Sequence, residues 1–164
     1  MNKLFLFIAT FLASHANAMD LNEYKGKVVL VVNIATHCGF TGQLEGLEKL
    51  HQKFKEKGLV VVAVPSNDFG GQTPEADTEV QAFCTSKYGV TFPVKPKTVV
   101  KGPQKDTLFK ELIKTDKGDK EIRWNFEKFL IGRSGTILQR FSSSTSPDDK
   151  KLVSAIEMAL QSDK

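Results

Sequence analysis

Two cysteines, Cys38 and Cys84, are the residues with most chemistry to offer, and they stand 46 positions apart. Cys38 separates two contrasting stretches. Before it, residues 27–35 (KVVLVVNIA) form a nearly continuous β-branched run, as expected of a strand buried on both faces. After it, residues 42–57 place Leu44, Leu47, Leu50 and Phe54 on one stripe, as a helix would, with Gly58 as its stop. A thiol between strand and helix meets unpaired backbone N–H groups and the positive end of the helix, both of which favour a thiolate. Peroxide reduction needs this help, because the thiolate is the nucleophile and an ordinary thiol titrates near ~8.5. The position alone admits a reactive thiol or an inert structural one. It excludes a local Cys-x-x-Cys exchanger, since Cys38-Gly39-Phe40-Thr41 has threonine where the second cysteine would stand.

Three further residues offer neutral N–H donors. Gln72 closes a polar, glycine-containing loop, 66–73 (SNDFGGQT), and Trp124 and Asn125 are adjacent. Donors aimed at one sulfur would stabilise a thiolate without adding a neutralising charge, and would polarise a peroxide. Taken singly, each has a plainer reading: Trp124 as a core aromatic, the two amides as ordinary loop polarity. Cys84 likewise falls on an apolar helix face with Val80 and Phe83, where a cysteine serves as a small hydrophobe.

The elements that must position these groups follow in order. Residues 59–64 (LVVVAV) read as a second buried strand ended by Pro65. A helix begins with a Thr78-x-x-Gln81 capping box and runs to Gly89; Leu108, Phe109, Leu112 and Ile113 mark another. Residues 129–131 and 137–141 form an antiparallel hairpin, and Ser146-Pro147 caps a last helix carrying Leu152, Val153, Ile156 and Leu160. The order is an α/β one, a central mixed β-sheet flanked by helices, as in a thioredoxin-like fold. Cys38 and the 66–73 loop both follow parallel strands, at the carboxyl ends where chemistry gathers.

Residues 1–18 are set apart as a cleavable signal peptide: Lys3, an apolar run over 4–13, then Ala16-Asn17-Ala18. Ten apolar residues are too few to span a bilayer, which needs about 20. Residues 19–164 then form one domain, periplasmic or secreted and not inserted in a membrane. In an oxidising compartment two cysteines make one structural disulfide by default. The net charge of +4 comes from scattered lysines, which give no footprint for nucleic acid. No cluster suited to a metal or other cofactor is apparent.

Three blocks carry a resemblance. Residues 32–41 (VNIATHCGFT), 65–72 (PSNDFGGQ) and 124–130 (WNFEKFL) resemble, in order, the signature blocks of the glutathione peroxidase family, and the similarity spans residues 21 to the last helix. The resemblance implies a thioredoxin-like peroxidase whose catalytic set maps to Cys38, Gln72, Trp124 and Asn125. The segment around Cys84, FCTSKY, resembles the place where thioredoxin-dependent members carry a resolving cysteine. A hydroperoxide would oxidise Cys38 to a sulfenic acid, Cys84 would close a Cys38–Cys84 disulfide after local unwinding of its helix, and a thioredoxin-like dithiol protein would reopen it. Glutathione as reductant, with Cys84 merely structural, is the alternative within the family. A redox sensor with little turnover is the alternative outside it. The short segment between Thr98 and Trp124 lacks the oligomerisation loop of tetrameric relatives, which implies a monomer or weak dimer.

The chain departs from the family in several places. Cysteine replaces the selenocysteine often found at the attacking position, which implies slower attack. Ser66 stands where a third cysteine is common, and Asp68 is expected to face water. His37 stands where relatives carry lysine, and a catalytic part for it is not expected. His51 is expected at the surface, and Gly39, Gly70 and Gly71 at tight turns near the site.

Overall fold

A computed structural model describes residues 21–114 and 120–162. The signal-peptide expectation falls on residues outside those described. A 3₁₀ turn, Asn22–Tyr24, leads into β1 (Val28–Ile34). Then follow α1 (Gln43–Phe54), β2 (Leu59–Pro65), α2 (Asp77–Tyr88), α3 (Thr107–Leu112), β3 (Lys128–Ile131), β4 (Ile137–Phe141) and α4 (Lys150–Gln161).

The sheet order is β2-β1-β3-β4. β1 pairs parallel with β2 from Val28↔Leu59 to Ile34↔Pro65, and antiparallel with β3 from Val29↔Ile131 to Val32↔Lys128. β1 is thus the central strand, and every one of its residues is buried. Alternation along it divides the interior into two layers. Val28, Leu30, Val32 and Ile34 face a core made with α1, α2 and α4; Val29 and Val31 face one made with α3 and the connecting segments. A run buried on both faces must be apolar throughout, which is why residues 27–35 read as they do.

Two helix starts differ from expectation. α2 begins at Asp77 behind Ala76, one turn position ahead of the Thr78 box. Glu79 Oε2 accepts from the Ala76 N–H at 2.9 Å, half of a capping box, and alanine has no side chain to complete it. α4 is capped by Asp149, which accepts from Lys151 N at 2.7 Å, rather than by Ser146-Pro147. Ser146 instead donates to Asp148. The 145–149 segment (TSPDD) holds several residues able to cap, and the one nearest the apolar stripe prevails. His51 is also not at the surface. It is half-buried with its ring edge-on to Phe92, centroids 5.9 Å apart, and burial pushes its pKa below the usual value.

Candidate active site

β1 and β2 deliver two loops side by side. The first carries Cys38, and its shape is set by Thr41, the residue in the place of a second Cys-x-x-Cys cysteine. Thr41 Oγ1 accepts from the Cys38 N–H at 3.0 Å and donates to the Ala35 carbonyl at 2.9 Å, while Thr41 N donates to the Cys38 carbonyl at 3.0 Å. Cys38 does not cap α1. Overlapping turns intervene (Gln43 N to Phe40 O, Leu44 N to Thr41 O), so the amide turned on the sulfur is that of Phe40, at 3.5 Å. The thiol is half-buried and free.

The second loop runs from the fully buried Ser66 to Gln72. Gly70 and Gly71 stand in succession at φ 66° and 65°, a left-handed pair that only glycine adopts readily, and they turn Gln72 toward the first loop. Gly39 lies in the tight turn closed by Thr41 N and the Cys38 carbonyl, as expected, but its φ is not positive and a would-be Cβ meets open space, so the turn does not require glycine there. Asp68 is half-buried rather than simply facing water. Its Oδ2 accepts from the N–H groups of Val100 at 2.6 Å and Lys101 at 3.1 Å, fastening the loop to the next segment.

The two loops are stitched together. The Gln72 carbonyl accepts from His37 N at 3.0 Å. Glu75 takes the Thr36 hydroxyl at 2.7 Å on Oε2 and the His37 ring at 2.5 Å on Oε1. Burial alone would raise Glu75, but these hydrogen bonds outweigh it and hold the carboxyl below its ordinary range. The His37 ring is thus engaged by a carboxylate next to Cys38.

A third segment, residues 123–127, crosses the end of β1 as a strap. Asn33 of β1 fixes it at three points. Its Nδ2 donates to the Trp124 carbonyl at 3.1 Å, its carbonyl accepts from Phe126 N at 2.6 Å, and its N–H donates to the Glu127 carbonyl at 3.3 Å. Phe126 is held at φ 65°, a sparsely populated state for a bulky residue. Sequence reasoning gave Asn33 no role. The signal was there, one amide in an otherwise β-branched buried run.

The strap presents Trp124 and Asn125. Asn125 is fully buried, and its Nδ2 donates to Gln72 Oε1 at 3.0 Å. Gln72 is held by its oxygen, which leaves its Nε2 without a protein partner among the described residues. Trp124 is 39% exposed, its ring lies 5.6 Å from the Phe69 ring, and its indole N–H is unpaired among the described residues. Among the described residues Asn125 Oδ1 and Asn33 Oδ1 are buried with no partner, and each carries the cost of burial without a hydrogen bond.

Cys84 sits apart. It lies on the buried face of α2 in the core shared with α1 and α4, and Cys38 packs against the edge of that core. Burial pushes the Cys84 thiol up to about 11, so it is neutral at ordinary pH.

Known proteins resemble this chain. The glutathione peroxidase family model matches residues 6–113, more than half of the chain. The chain is 46% identical over 135 residues to the glutathione peroxidase-like peroxiredoxin gpx1 of Schizosaccharomyces pombe, covering 80% of this chain and 85% of that one. It is similar to the crystal structure of Trgpx in apo form, with a TM-score of 0.67 and 40% identity over 87% of this chain and 86% of that one. A thioredoxin family thiol:disulfide interchange protein from Chlorobium tepidum TLS aligns with a TM-score of 0.57 at 21% identity, covering 84% of this chain and 83% of that one. The last likeness concerns the fold alone and makes it thioredoxin-like. The half-buried thiol of Cys38 therefore stands in a scaffold of known kind, and the chain belongs to the glutathione peroxidase family as a peroxidase.

Proposed function

We propose that the protein reduces hydrogen peroxide and organic hydroperoxides through Cys38, with Gln72, Trp124 and Asn125 as the groups that stabilise the reacting atoms. The observation that carries this reading is the 3.0 Å bond from Asn125 Nδ2 to Gln72 Oε1, which joins the strap to a loop whose Gln72 carbonyl accepts from His37 N, next to the half-buried Cys38. The Cys38 thiolate attacks the terminal peroxide oxygen; the S–O bond forms as the O–O bond breaks. The departing alkoxide or hydroxide takes a proton and leaves as alcohol or water, and Cys38 becomes a sulfenic acid. The amide and indole N–H groups face charge that develops on the sulfur and the leaving oxygen, where preorganised donors act most strongly.

Cys84 then attacks the sulfenic sulfur. A disulfide forms and water departs with the hydroxyl of Cys38 and the thiol proton of Cys84. Two successive exchanges with a thioredoxin-like dithiol protein restore both thiols. Because the buried Cys84 thiol is neutral, this step requires α2 to open locally, which returns its pKa toward the ordinary value near ~8.5. The same burial favours a second reading, in which Cys84 is a core residue and glutathione resolves the sulfenic acid.

Intact mass after one equivalent of peroxide separates the two. Loss of two hydrogens supports the internal disulfide, and a glutathione adduct when glutathione is present supports the alternative. Retention of peroxide consumption by Cys38→Ser overturns both. We further propose export with cleavage after Ala18 and a monomeric working form, supported by the N-terminal sequence pattern and the short segment before Trp124. N-terminal sequencing from the native host tests the first, and sedimentation tests the second.

A further inference from the structure

Lys128 of β3 has no solvent exposure. It lies between Val32 of β1 and Phe141 of β4, and desolvation pushes its ammonium down to about 8. A buried cation is costly unless something compensates it. Among the described residues no carboxylate pairs with it. The neighbouring Glu127 is bonded instead by Arg140 at 2.6 Å and by the Arg123 N–H at 2.6 Å, and its charge offsets only part of the desolvation of Lys128. What Lys128 does touch belongs to two elements of the site. Its Nζ donates to the Phe126 carbonyl at 2.8 Å and to Gln43 Oε1 at 2.6 Å. Phe126 is the residue at positive φ directly after Asn125, and Gln43 is the first residue of α1, the helix that follows the Cys38 loop. The other end of the Gln43 amide donates to the Ser143 carbonyl at 2.8 Å, which keeps its oxygen turned on the lysine.

We propose that Lys128 is a positioning residue for peroxide attack: its ammonium ties the strap that carries Trp124 and Asn125 to the first residue of α1, and so keeps both donors in register with Cys38. The inference rests on the reading that those donors act at Cys38. A left-handed Phe126 is strained and persists only where neighbours hold it. The Asn33 carbonyl holds its N–H and Lys128 holds its carbonyl. Without the lysine the carbonyl loses a buried partner and the strap relaxes. A displacement of about 1 Å at a reacting centre is enough to cost roughly a hundredfold in rate. A lysine serving stability alone behaves differently: its loss would lower the denaturation midpoint, because two buried acceptors lose their donor, but would leave the attack rate and the surroundings of Trp124 unchanged.

Lys128→Met keeps the stem and removes the donors. The test follows the first-turnover loss of the Cys38 thiol with hydrogen peroxide, alongside emission and acrylamide quenching of Trp124, the single tryptophan of the chain. Attack should slow at least tenfold, with a shifted Trp124 emission and an intact far-ultraviolet spectrum. An attack rate within twofold of the parent in a folded variant overturns the proposal. A slower attack with unmoved emission and quenching overturns it as well, because the strap would not have shifted. Should Lys128→Met not fold, Gln43→Ala removes the acceptor on α1, together with its bond to Ser143, and leaves the lysine in place; it should slow attack about threefold or more, and an unchanged rate refutes the tie. Asn125→Ala tells the two layers apart. If it slows attack while Lys128→Met does not, the tie fails alone; if neither slows it, the reading of the donors fails.

Discussion

Asn125 Nδ2 and Gln72 Oε1 lie 3.0 Å apart, so the amide of the strap holds the amide of the β2 loop by its oxygen. The consequence is directional. Gln72 can turn only its Nε2 hydrogens outward, and Asn125, itself fully buried, acts in part by deciding which way Gln72 faces. Gln72→Ala and Trp124→Phe each remove a donor, and Asn125→Ala removes both a donor and the hold on Gln72. Each should slow the first attack by roughly tenfold to a thousandfold, the scale of lost transition-state donors. Because the amides act as a pair, the Gln72→Ala, Asn125→Ala double variant should lose much less than the product of the single losses. Stopped-flow loss of the Cys38 thiol reads all four. If Trp124→Phe attacked at the parent rate, the indole N–H would have no catalytic part.

Glycines near the site should divide cleanly. Gly71 stands at φ 65°, where a Cβ costs about 1–2 kcal/mol, and it directly precedes Gln72. Gly39 has an ordinary φ and nothing within 4 Å of a would-be Cβ. Gly71→Ala should therefore lower both stability and attack rate, whereas Gly39→Ala should leave stability within about 0.5 kcal/mol of the parent. Urea denaturation with first-turnover kinetics checks the contrast, and equal losses at both positions would break it.

Two buried groups with opposed titrations set the alkaline stability. Lys128 titrates near 8 in the folded chain against an ordinary 10.5, so between these values the unfolded chain binds the extra proton and stability rises with pH. Cys84 titrates near 11 against an ordinary 9.0, so above pH 9 the folded chain keeps a proton that the unfolded chain loses, and stability falls. Cys84→Ser should expose the lysine's contribution as a rise of about 1 kcal/mol between pH 7.5 and pH 9, relative to the same protein carrying Lys128→Met. Denaturant midpoints at the two pH values measure it. A flat difference would mean that Lys128 keeps its ordinary pKa.

The parts legible from sequence were those where one local rule decides. β1 and β2 were legible because strands buried on both faces must be apolar throughout, and residues 27–35 and 59–64 nearly are. Gln72, Trp124 and Asn125 were legible through a resemblance of blocks; spacing alone could not have joined residues 52 and 53 positions apart. The less legible features were those settled by long-range partners. Asp68 was expected to face water until the Val100 and Lys101 amides were beside it, and Lys128 passed as one of the scattered lysines until its ammonium met Phe126 and Gln43. The helix starts at Asp77 and Lys150 were missed because neighbouring capping residues compete, and their order in sequence does not rank them.

Cys84 separates the two peroxidase readings. Replacing it with serine should leave the first attack nearly unchanged, since Cys84 lies on the core face of α2 and the peroxide meets Cys38. The internal disulfide should no longer form, and turnover with a thioredoxin-like donor should stop. Oxidised Cys38 would then persist as sulfenic acid and pass to sulfinic acid under excess peroxide, visible as successive gains of one and two oxygens in intact mass. In the parent, oxidation should loosen residues 83–87, because a buried helical thiol near pKa 11 becomes a nucleophile only when its helix opens. Faster amide exchange there in the oxidised form, relative to the reduced form, records the opening. Undiminished turnover of Cys84→Ser with the dithiol donor would return Cys84 to the core and leave glutathione, or another external thiol, to resolve the sulfenic acid.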